Sequence, residues 1–169
     1  MLELLAAEDV PWHSVTIYQV DERVAPRGDP DRNLTTLARA LPCAIVPMPV
    51  EDDDLWAAAD RYAAELPDRL DLVHLGLGPD GHTASLVPGC GALEIQDRDV
   101  AISREYDGHR RMTLTYPPIN RAREVLWVVT GEDKRDSLRQ LLAGDSSIPA
   151  AGVVTPVQTV LTDQAVAYS

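Results

Sequence analysis

The chain has 169 residues, a length typical of a single domain, and 45% of them are apolar, which is enough for a hydrophobic core. Its 27 acidic residues outnumber its 15 basic residues, and the resulting net charge of −12 disfavours binding to nucleic acid or to anionic membranes. The sequence has no apolar run of membrane-spanning length, and its first residues do not resemble a signal peptide. Cys43 and Cys90 match no metal or redox spacing, so we expect reduced thiols in a cytoplasmic protein.

Strands and helices alternate along the first half of the chain. In order, the sequence predicts the end of an amphipathic helix at residues 1–13, a strand at 14–20, a charged loop at 21–33, a helix at 34–41, a short strand at 44–48, a helix at 51–66 and a buried strand at 71–77.

The same alternation continues in the second half. An insertion at residues 89–108 is expected to hold a small hairpin, and it is followed by a strand at 111–116, a helical turn at 117–122, a strand at 124–130, a helix at 131–144 and an edge strand at 164–169. This order predicts a Rossmann-like α/β fold, in which helices flank a mainly parallel sheet, and a single domain over residues 1–169.

The residues best suited to catalysis lie in the segment LGLGPDGHTASLVPG, residues 75–89. The segment follows a buried strand, where open α/β sheets usually bind ligands. We expect residues 83–87 to begin a helical turn, whose N–H groups would favour an anion or a developing oxyanion. His82 can move a proton near neutral pH, and Asp80 is placed to orient its imidazole or to contact a sugar hydroxyl.

These residues also have plainer interpretations. An Asp-x-His pair is often only a surface cap, and a zinc site at this position would need further ligands that no His-rich or Cys-rich cluster supplies. We interpret His13, His74 and His109 as structural or exposed. His74 alternates with Val73 and Leu75 on the predicted strand, so we expect it to be buried with its hydrogen bonds satisfied.

The string GLGPDGHTASLVPG resembles the signature of the 6-phosphogluconolactonase family. VDERVAP, with Asn33 downstream, is similar to the acidic loop of that family, and RRMTLTYPPINRAREVLWVVTGEDKRDSLRQLL and TDQAVA resemble its later blocks in the same order. The resemblance extends from the first helix to the end of the chain. It implies hydrolysis of 6-phosphogluconolactone to 6-phosphogluconate in the oxidative pentose phosphate pathway, without a metal or an organic cofactor.

The resemblance also implies catalytic roles for individual residues. His82 would be the general base that activates water and then returns the proton to the departing ring oxygen. Asp80 and Asp21 would be supporting polar groups. The backbone N–H groups of the turn from Gly78 to Gly81 are candidates for stabilising the tetrahedral oxyanion.

Cations are needed for the substrate phosphate. Arg111 and Lys134 match family positions associated with that phosphate, although an arginine at a strand start or a lysine in a first helical turn is commonly only solvated. Arg23 follows the first strand and is a third candidate. Asp21 and Glu22 could instead hold Arg23 by an ion pair, and the sequence leaves these roles open.

Glucosamine-6-phosphate deaminases belong to the same superfamily and share the Asp-Gly-His element. In those enzymes the element is followed by Phe-Asn-Glu-Pro, whose glutamate works with the histidine in opening the sugar ring. Val87 stands at that glutamate's position here and cannot carry a proton, which favours the lactonase. A non-catalytic domain that binds sugar phosphates is the other alternative.

The glycine-rich Ser-Gly-Gly-type loop of the family has no counterpart in this sequence. We therefore expect the N-terminal βα portion to be missing and the sheet to have an exposed edge. Met1 could be an internal methionine of a longer protein, the chain could be truncated and self-associate over the exposed surface, or it could be a decayed family member. We favour the first explanation because a helix entered without an N-cap residue is a poor natural start.

Overall fold

Residues 2–165 are described by a computed structural model of the chain. Its α-helices are α1 (Leu2–Ala6), α2 (Asn33–Ala40), α3 (Leu55–Glu65), α4 (Tyr116–Asn120) and α5 (Arg135–Leu142). Its strands are β1 (Thr16–Tyr18), β2 (Asp21–Arg23), β3 (Ala44–Val46), β4 (Leu72–Leu75), β5 (Val100–Tyr106), β6 (His109–Leu114), β7 (Glu124–Val129) and β8 (Gln158–Thr162).

The parallel strands form two sheets. β1 pairs with β3, and β4, β7 and β8 lie side by side in that order, each pair running parallel. Helices pack against these sheets, so the predicted α/β fold is confirmed. One face of the β4–β7–β8 sheet carries the buried core, to which the strands contribute Val73, Leu75, Val125, Trp127 and Val129.

The opposite face of the β4–β7–β8 sheet is largely uncovered by the described residues. Leu72 is 50% exposed and Leu161 is 53% exposed, although parallel sheets are usually covered on both faces. His74 lies on this face beside Leu126, and it is exposed. The prediction of a buried His74 is therefore wrong, because alternation along β4 turns it away from the core that Val73 enters.

A third sheet is antiparallel, with strand order β2–β6–β5. Its strand β2 lies inside the segment that the sequence predicted to be a charged loop, so that prediction is wrong for residues 21–23. The polar residues of β2 form a strand because they pair with β6, where Arg23 lies opposite Arg111. The first predicted strand accordingly ends at Tyr18.

The hairpin expected within residues 89–108 extends beyond them: it forms between β5 and β6, and β6 is the strand predicted at residues 111–116. The two strands are joined by Asp107 and Gly108, whose φ angles are 52° and 76°. Two positive φ angles in a two-residue Asp-Gly loop are typical of the type I′ turn, which matches the twist of the flanking strands.

The buried carboxylate of Glu22 joins β2 to α2. It accepts hydrogen bonds from the backbone N–H groups of Asn33 at 2.8 Å and Leu34 at 2.9 Å, at the start of α2. It also accepts from the side chains of Gln19 at 2.9 Å and Arg32 at 3.4 Å. Glu22, on strand β2, therefore supplies acceptors for backbone N–H groups at the N-terminus of α2, which have no partners within the helix.

Helix α3 begins at Leu55, four residues after the predicted start. The Oδ1 atom of Asp54 accepts from the N–H groups of Trp56 at 3.1 Å and Ala57 at 3.0 Å, which is the arrangement of an N-cap. The acidic residues before Asp54 therefore precede the helix instead of forming its first turn.

The last strand was not predicted. β8 pairs with β7 from Val125–Gln158 to Val129–Thr162 and forms one edge of its sheet. The edge strand predicted at residues 164–169 is not found at residues 164–165, and its remaining residues lie outside the described part of the chain.

Candidate active site

The loop after β4 is a tight structure held by its own backbone. The N–H of Gly78 donates to the carbonyl of His82 at 2.8 Å, and the N–H of Gly81 donates to the carbonyl of Gly78 at 3.0 Å. The Thr83 hydroxyl donates to the carbonyl of Gly76 at 2.9 Å. These bonds close the loop at the carboxyl end of a parallel strand, where α/β folds place ligand sites.

The helical turn predicted at residues 83–87 does not form. Thr83 and Leu86 instead form an isolated antiparallel bridge, and the N–H of Leu86 donates to the carbonyl of Thr83 at 2.9 Å. The N–H of Ser85 donates to the Thr113 hydroxyl at 3.2 Å. The segment is therefore a tight turn tied to β6, and it offers no helix N-terminus to an anion.

The same hydrogen bonds bear on the oxyanion hypothesis for Gly78 and Gly81. Both N–H groups are engaged within the loop, so in this arrangement neither is free to donate to an oxyanion. Each glycine instead has a packing role. A side chain at Gly78 would collide with His82, and Gly81 has a φ of 78° and lies against Ile148.

His82 and Asp80 are in direct contact. The Nδ1 atom of His82 lies 2.6 Å from Oδ1 of Asp80, and the backbone N–H of His82 donates to the same oxygen at 3.2 Å. Partial burial raises the pKa of Asp80, but the hydrogen bonds from His82 outweigh it and leave that pKa below its usual value. The ionised carboxylate thus fixes Nδ1 as a donor and leaves Nε2 free to accept a proton.

His82 opens onto a cleft of about 520 Å³ lined by Arg23, His82, Tyr106, Asp107 and Arg111. Arg23 and Arg111 come from a directly opposed pair on β2 and β6. Like charges at such a pair are destabilising, and an anion between them would relieve the repulsion. The cleft thus brings one histidine and two guanidinium groups together.

Arg111 is only 6% exposed, and its hydrogen bonding is incomplete. One terminal nitrogen donates to the carbonyl of Tyr106 at 3.3 Å and lies 3.9 Å from the carboxylate of Asp107. Its Nε is buried without a hydrogen-bond partner among residues 2–165. Buried guanidinium donors normally have partners, so this arginine has capacity for an anionic ligand.

Arg23 is held by neutral acceptors. Its guanidinium donates to the carbonyl of Asp31 at 2.6 Å and to Oδ1 of Asn33 at 3.3 Å. Glu22 pairs with Arg32, not with the Arg23 side chain. The suggestion that Asp21 and Glu22 hold Arg23 by an ion pair is therefore wrong for the described residues. The helix end and Arg32 occupy the Glu22 carboxylate. Ser85 and Asn33 occupy that of Asp21.

Asp21 links β2 to the Asp-Gly-His loop. Its carboxylate accepts from the Ser85 hydroxyl at 2.6 Å and from the Asn33 amide at 3.0 Å. Burial raises the pKa of Asp21, while the Ser85 hydrogen bond and the charge of Arg111 act in the opposite direction. Asp21 does not line the cleft, and its contacts are those of a group that positions the turn beside His82.

Lys134 lies in the turn that precedes α5, after the end of β7. Because β4 and β7 are parallel, this turn is at the same sheet edge as the Asp-Gly-His loop. Its Nζ lies 3.1 Å from a carboxylate oxygen of Asp133, and Lys134 does not line the cleft.

Tyr106 was missed by the sequence reasoning. Its ring contacts that of His82 edge-on, with centroids 5.3 Å apart and an interplanar angle of 64°. The Arg111 guanidinium lies over the same ring, 5.4 Å from its centroid. The Asp-Gly pair at residues 107–108 was the available signal, because it predicts a hairpin turn that begins directly after Tyr106.

Val87 is 1% exposed and packs in the core, so no acidic side chain enters the site from that position.

Within residues 2–165, no group of three or more His, Cys, Asp or Glu side chains is arranged to hold a metal ion. None of the helices in the same residues is long and apolar enough to cross a membrane.

Comparisons with known proteins agree on one family. The model of the glucosamine-6-phosphate isomerases/6-phosphogluconolactonase family matches residues 1–162. The chain is 35% identical over 161 residues to a 6-phosphogluconolactonase of Nostoc sp., covering 85% of this chain and 66% of that protein. It is 36% identical over 163 residues to the corresponding protein of Synechocystis sp., covering 86% of this chain and 68% of that protein.

A solved structure extends the comparison to the fold. The crystal structure of 6-phosphogluconolactonase from Thermotoga maritima superposes with a TM-score of 0.84 at 26% identity, and the match covers 95% of this chain and 78% of that one. The chain thus spans about two thirds of the length of the curated relatives given above.

Proposed function

Because the chain belongs to the glucosamine-6-phosphate isomerase/6-phosphogluconolactonase family, we propose that it hydrolyses 6-phosphogluconolactone to 6-phosphogluconate. The observation that carries the proposal is the contact between His82 and Asp80 at the wall of a cleft that also holds two arginines. A base beside an anion-binding cleft is what hydrolysis of a phosphorylated lactone requires.

In the proposed reaction, Nε2 of His82 takes a proton from a water molecule whose oxygen attacks the lactone carbonyl carbon. Asp80 holds Nδ1–H and stabilises the imidazolium that forms. When the tetrahedral intermediate collapses, the bond from the carbonyl carbon to the ring oxygen breaks, and His82 returns the proton to that oxygen. The product is an open-chain acid with a free hydroxyl group.

We assign the substrate phosphate to Arg111 and Arg23. The Nε of Arg111 is a buried donor without a partner among residues 2–165, and Arg23 lies directly opposite Arg111 on the neighbouring strand. Since the N–H groups of Gly78 and Gly81 are engaged, the positive potential of the two guanidinium groups would also stabilise the negative charge on the carbonyl oxygen. Lys134 is proposed as a further phosphate ligand from the neighbouring turn.

A deaminase is the second candidate within the family. The buried Val87 argues against it, because ring opening of an amino sugar would use an acid at that position. A domain that binds sugar phosphates without turnover is the third candidate.

One set of assays separates these candidates. Freshly generated 6-phosphogluconolactone is added to the protein, and acid release is followed against spontaneous hydrolysis, with ammonia release from glucosamine 6-phosphate measured in parallel. Acceleration of lactone hydrolysis supports the proposal. Ammonia release would support the deaminase, and thermal stabilisation by 6-phosphogluconate without turnover would support the binding domain.

We further propose that the protein acts in the cytoplasm.

We also propose that two copies associate through the exposed face of the β4–β7–β8 sheet. Leu72 and Leu161 are both about half exposed there, and a two-fold pairing would remove both from water. Sedimentation velocity tests the association. Leu161→Glu should yield a monomer, whereas Leu142→Glu on α5 is the matched exposed control and should not. A wild-type protein that stays monomeric at all concentrations would rule the association out.

A further inference from the structure

The tip of the β5–β6 hairpin is built to point one aromatic side chain into the cleft. The register shifts between Ser103 and Tyr106, because Ser103 lies opposite Arg111 whereas Tyr106 lies opposite His109. Three steps along β5 thus match two along β6, which is a β-bulge, and bulges commonly redirect a side chain beside an active site. The type I′ turn at Asp107–Gly108 then fixes the hairpin end.

Tyr106 contacts both halves of the site. On one side, the guanidinium of Arg111 lies 5.4 Å from its ring centroid, and Arg111 also donates to its backbone carbonyl at 3.3 Å. On the other side, its ring packs edge-on against the His82 imidazole at 5.3 Å. Among residues 2–165, no other side chain that lines the cleft makes ring contacts with both His82 and Arg111.

We propose that Tyr106 is a positioning residue whose aromatic ring sets the distance and orientation between the base His82 and the anion-binding Arg111. The role deepens the proposed lactonase function and rests on it. The ring is the active part of the side chain, because both contacts are made by the π system.

The phenol is not expected to transfer protons in this role. Burial and the nearby Asp80 carboxylate raise the pKa of Tyr106, so its hydroxyl stays protonated at neutral pH. Removal of the hydroxyl and removal of the ring should therefore have different consequences, and this difference makes the role testable.

The test compares Tyr106→Phe, which keeps the ring, with Tyr106→Leu, which removes it. Glu105→Ala, at the neighbouring exposed position of the same strand, is the control. For each variant, kcat and KM for 6-phosphogluconolactone are measured separately. The affinity for inorganic phosphate is measured by calorimetry, and the ring signals of His82 are recorded by NMR.

We expect Tyr106→Leu to weaken phosphate binding about 3- to 30-fold, the range that a cation–π contact supplies, with a matching rise in KM. The His82 ring signals should shift in this variant and kcat should fall. Tyr106→Phe should stay within about twofold of the wild type in phosphate affinity and KM, because it retains the ring that contacts Arg111. Glu105→Ala should match the wild type.

Two results would overturn the proposal. The first is a Tyr106→Leu protein with unchanged phosphate affinity, KM and His82 signals. The second is a Tyr106→Phe protein that fails as badly as Tyr106→Leu, because the hydroxyl would then carry the effect. If leucine prevents folding, Tyr106→Gln provides the ring-free variant at this half-exposed position.

The phosphate and NMR measurements separate this proposal from the function itself. If the wild type shows no lactone hydrolysis, the proposed function fails, yet the loss of phosphate affinity in Tyr106→Leu still supports the positioning of Arg111. If the wild type is active and the affinity is unchanged, only the role of Tyr106 fails.

Discussion

Gly78 and His82 are packed so closely that a Cβ atom on Gly78 would collide with Nδ1 of the imidazole and would lie 2.7 Å from Oδ1 of Asp80. No side chain fits at that distance, so the contact between His82 and Asp80 requires glycine at this position.

Gly78→Ala should therefore displace His82 and lower kcat for lactone hydrolysis by at least about tenfold, because small misplacements of a catalytic group are costly. Gly76→Ala is the matched control in the same loop, since an added Cβ there meets no atom within 4 Å. The explanation is wrong if both variants lose activity equally, or if Gly78→Ala retains the wild-type rate.

His82→Gln should reduce lactone hydrolysis by about 10²- to 10⁴-fold, the usual contribution of a general base. The fold should be preserved, because the side chain is 22% exposed at the cleft. His74→Gln on the uncovered sheet face is the matched histidine control and should keep full activity. Circular dichroism and thermal melting verify the fold, and a fully active His82→Gln protein would remove His82 from the mechanism.

Asp80→Asn should lower kcat and change its pH dependence. The pKa of Asp80 is below its usual value, so the carboxylate stays ionised across the neutral range and supports a protonated His82 in the intermediate. Without that charge the imidazolium loses its partner, and the acid limb of the pH–rate profile should move to lower pH. The profile is measured over the accessible pH range, and an unchanged acid limb would contradict the role given to Asp80.

Arg111→Met should raise KM for the lactone by about 10- to 100-fold, with a smaller effect on kcat, because hydrogen bonds to a charged group are worth more than neutral ones. The salt dependence of KM should also decrease. Arg123→Met removes an exposed cation far from the cleft and is the control. An unchanged KM in Arg111→Met would exclude this arginine from the phosphate site.

Asp21→Asn tests the cost of a carboxylate that is partly removed from water. Burial raises the pKa of Asp21 in the folded protein above its ordinary value of 3.8, so the folded state binds more protons than the unfolded state in the interval above that value. Stability contributed by this group therefore falls as the pH rises through the interval. Relative to the wild type, Asp21→Asn should gain in free energy of unfolding as the pH is raised from about 4 to about 7, in urea titrations.

Two further results would decide the role of Asp21. A difference in unfolding free energy that does not vary with pH would contradict the assignment of a raised pKa. Loss of lactone hydrolysis in Asp21→Asn without loss of stability would instead support the catalytic role that the family resemblance implies.

Much of this fold follows from the sequence because it depends on local signals. Continuous apolar runs predicted β4 and β7, and helical spacing predicted α2, α3 and α5. Strand β2 could not be predicted in this way, because its charged residues form a strand only through pairing with β6, which lies far along the chain. The turn after His82 was misjudged for the same reason, since its hydrogen bond to Thr113 is tertiary.

The site divides in a similar way. The motif that contains His82 indicated a base, whereas the surroundings of that base depend on sheet topology. The position of Tyr106 follows from a bulge, and the exposure of His74 follows from the missing cover on one sheet face. The exposure of His74 has no local signature, and the Asp-Gly pair indicates the hairpin turn after Tyr106 but not the bulge that redirects its ring.

The carboxylate of Glu22 has a consequence for how the molecule opens. Backbone N–H groups of Arg23, Asn33 and Leu34 all donate to this one side chain, so the end of β2 and the first turn of α2 share their attachment. These amides should exchange with deuterium as a single unit, since none can be released without disturbing the others. The cleft wall that carries Arg23 should therefore open only when the first turn of α2 also opens.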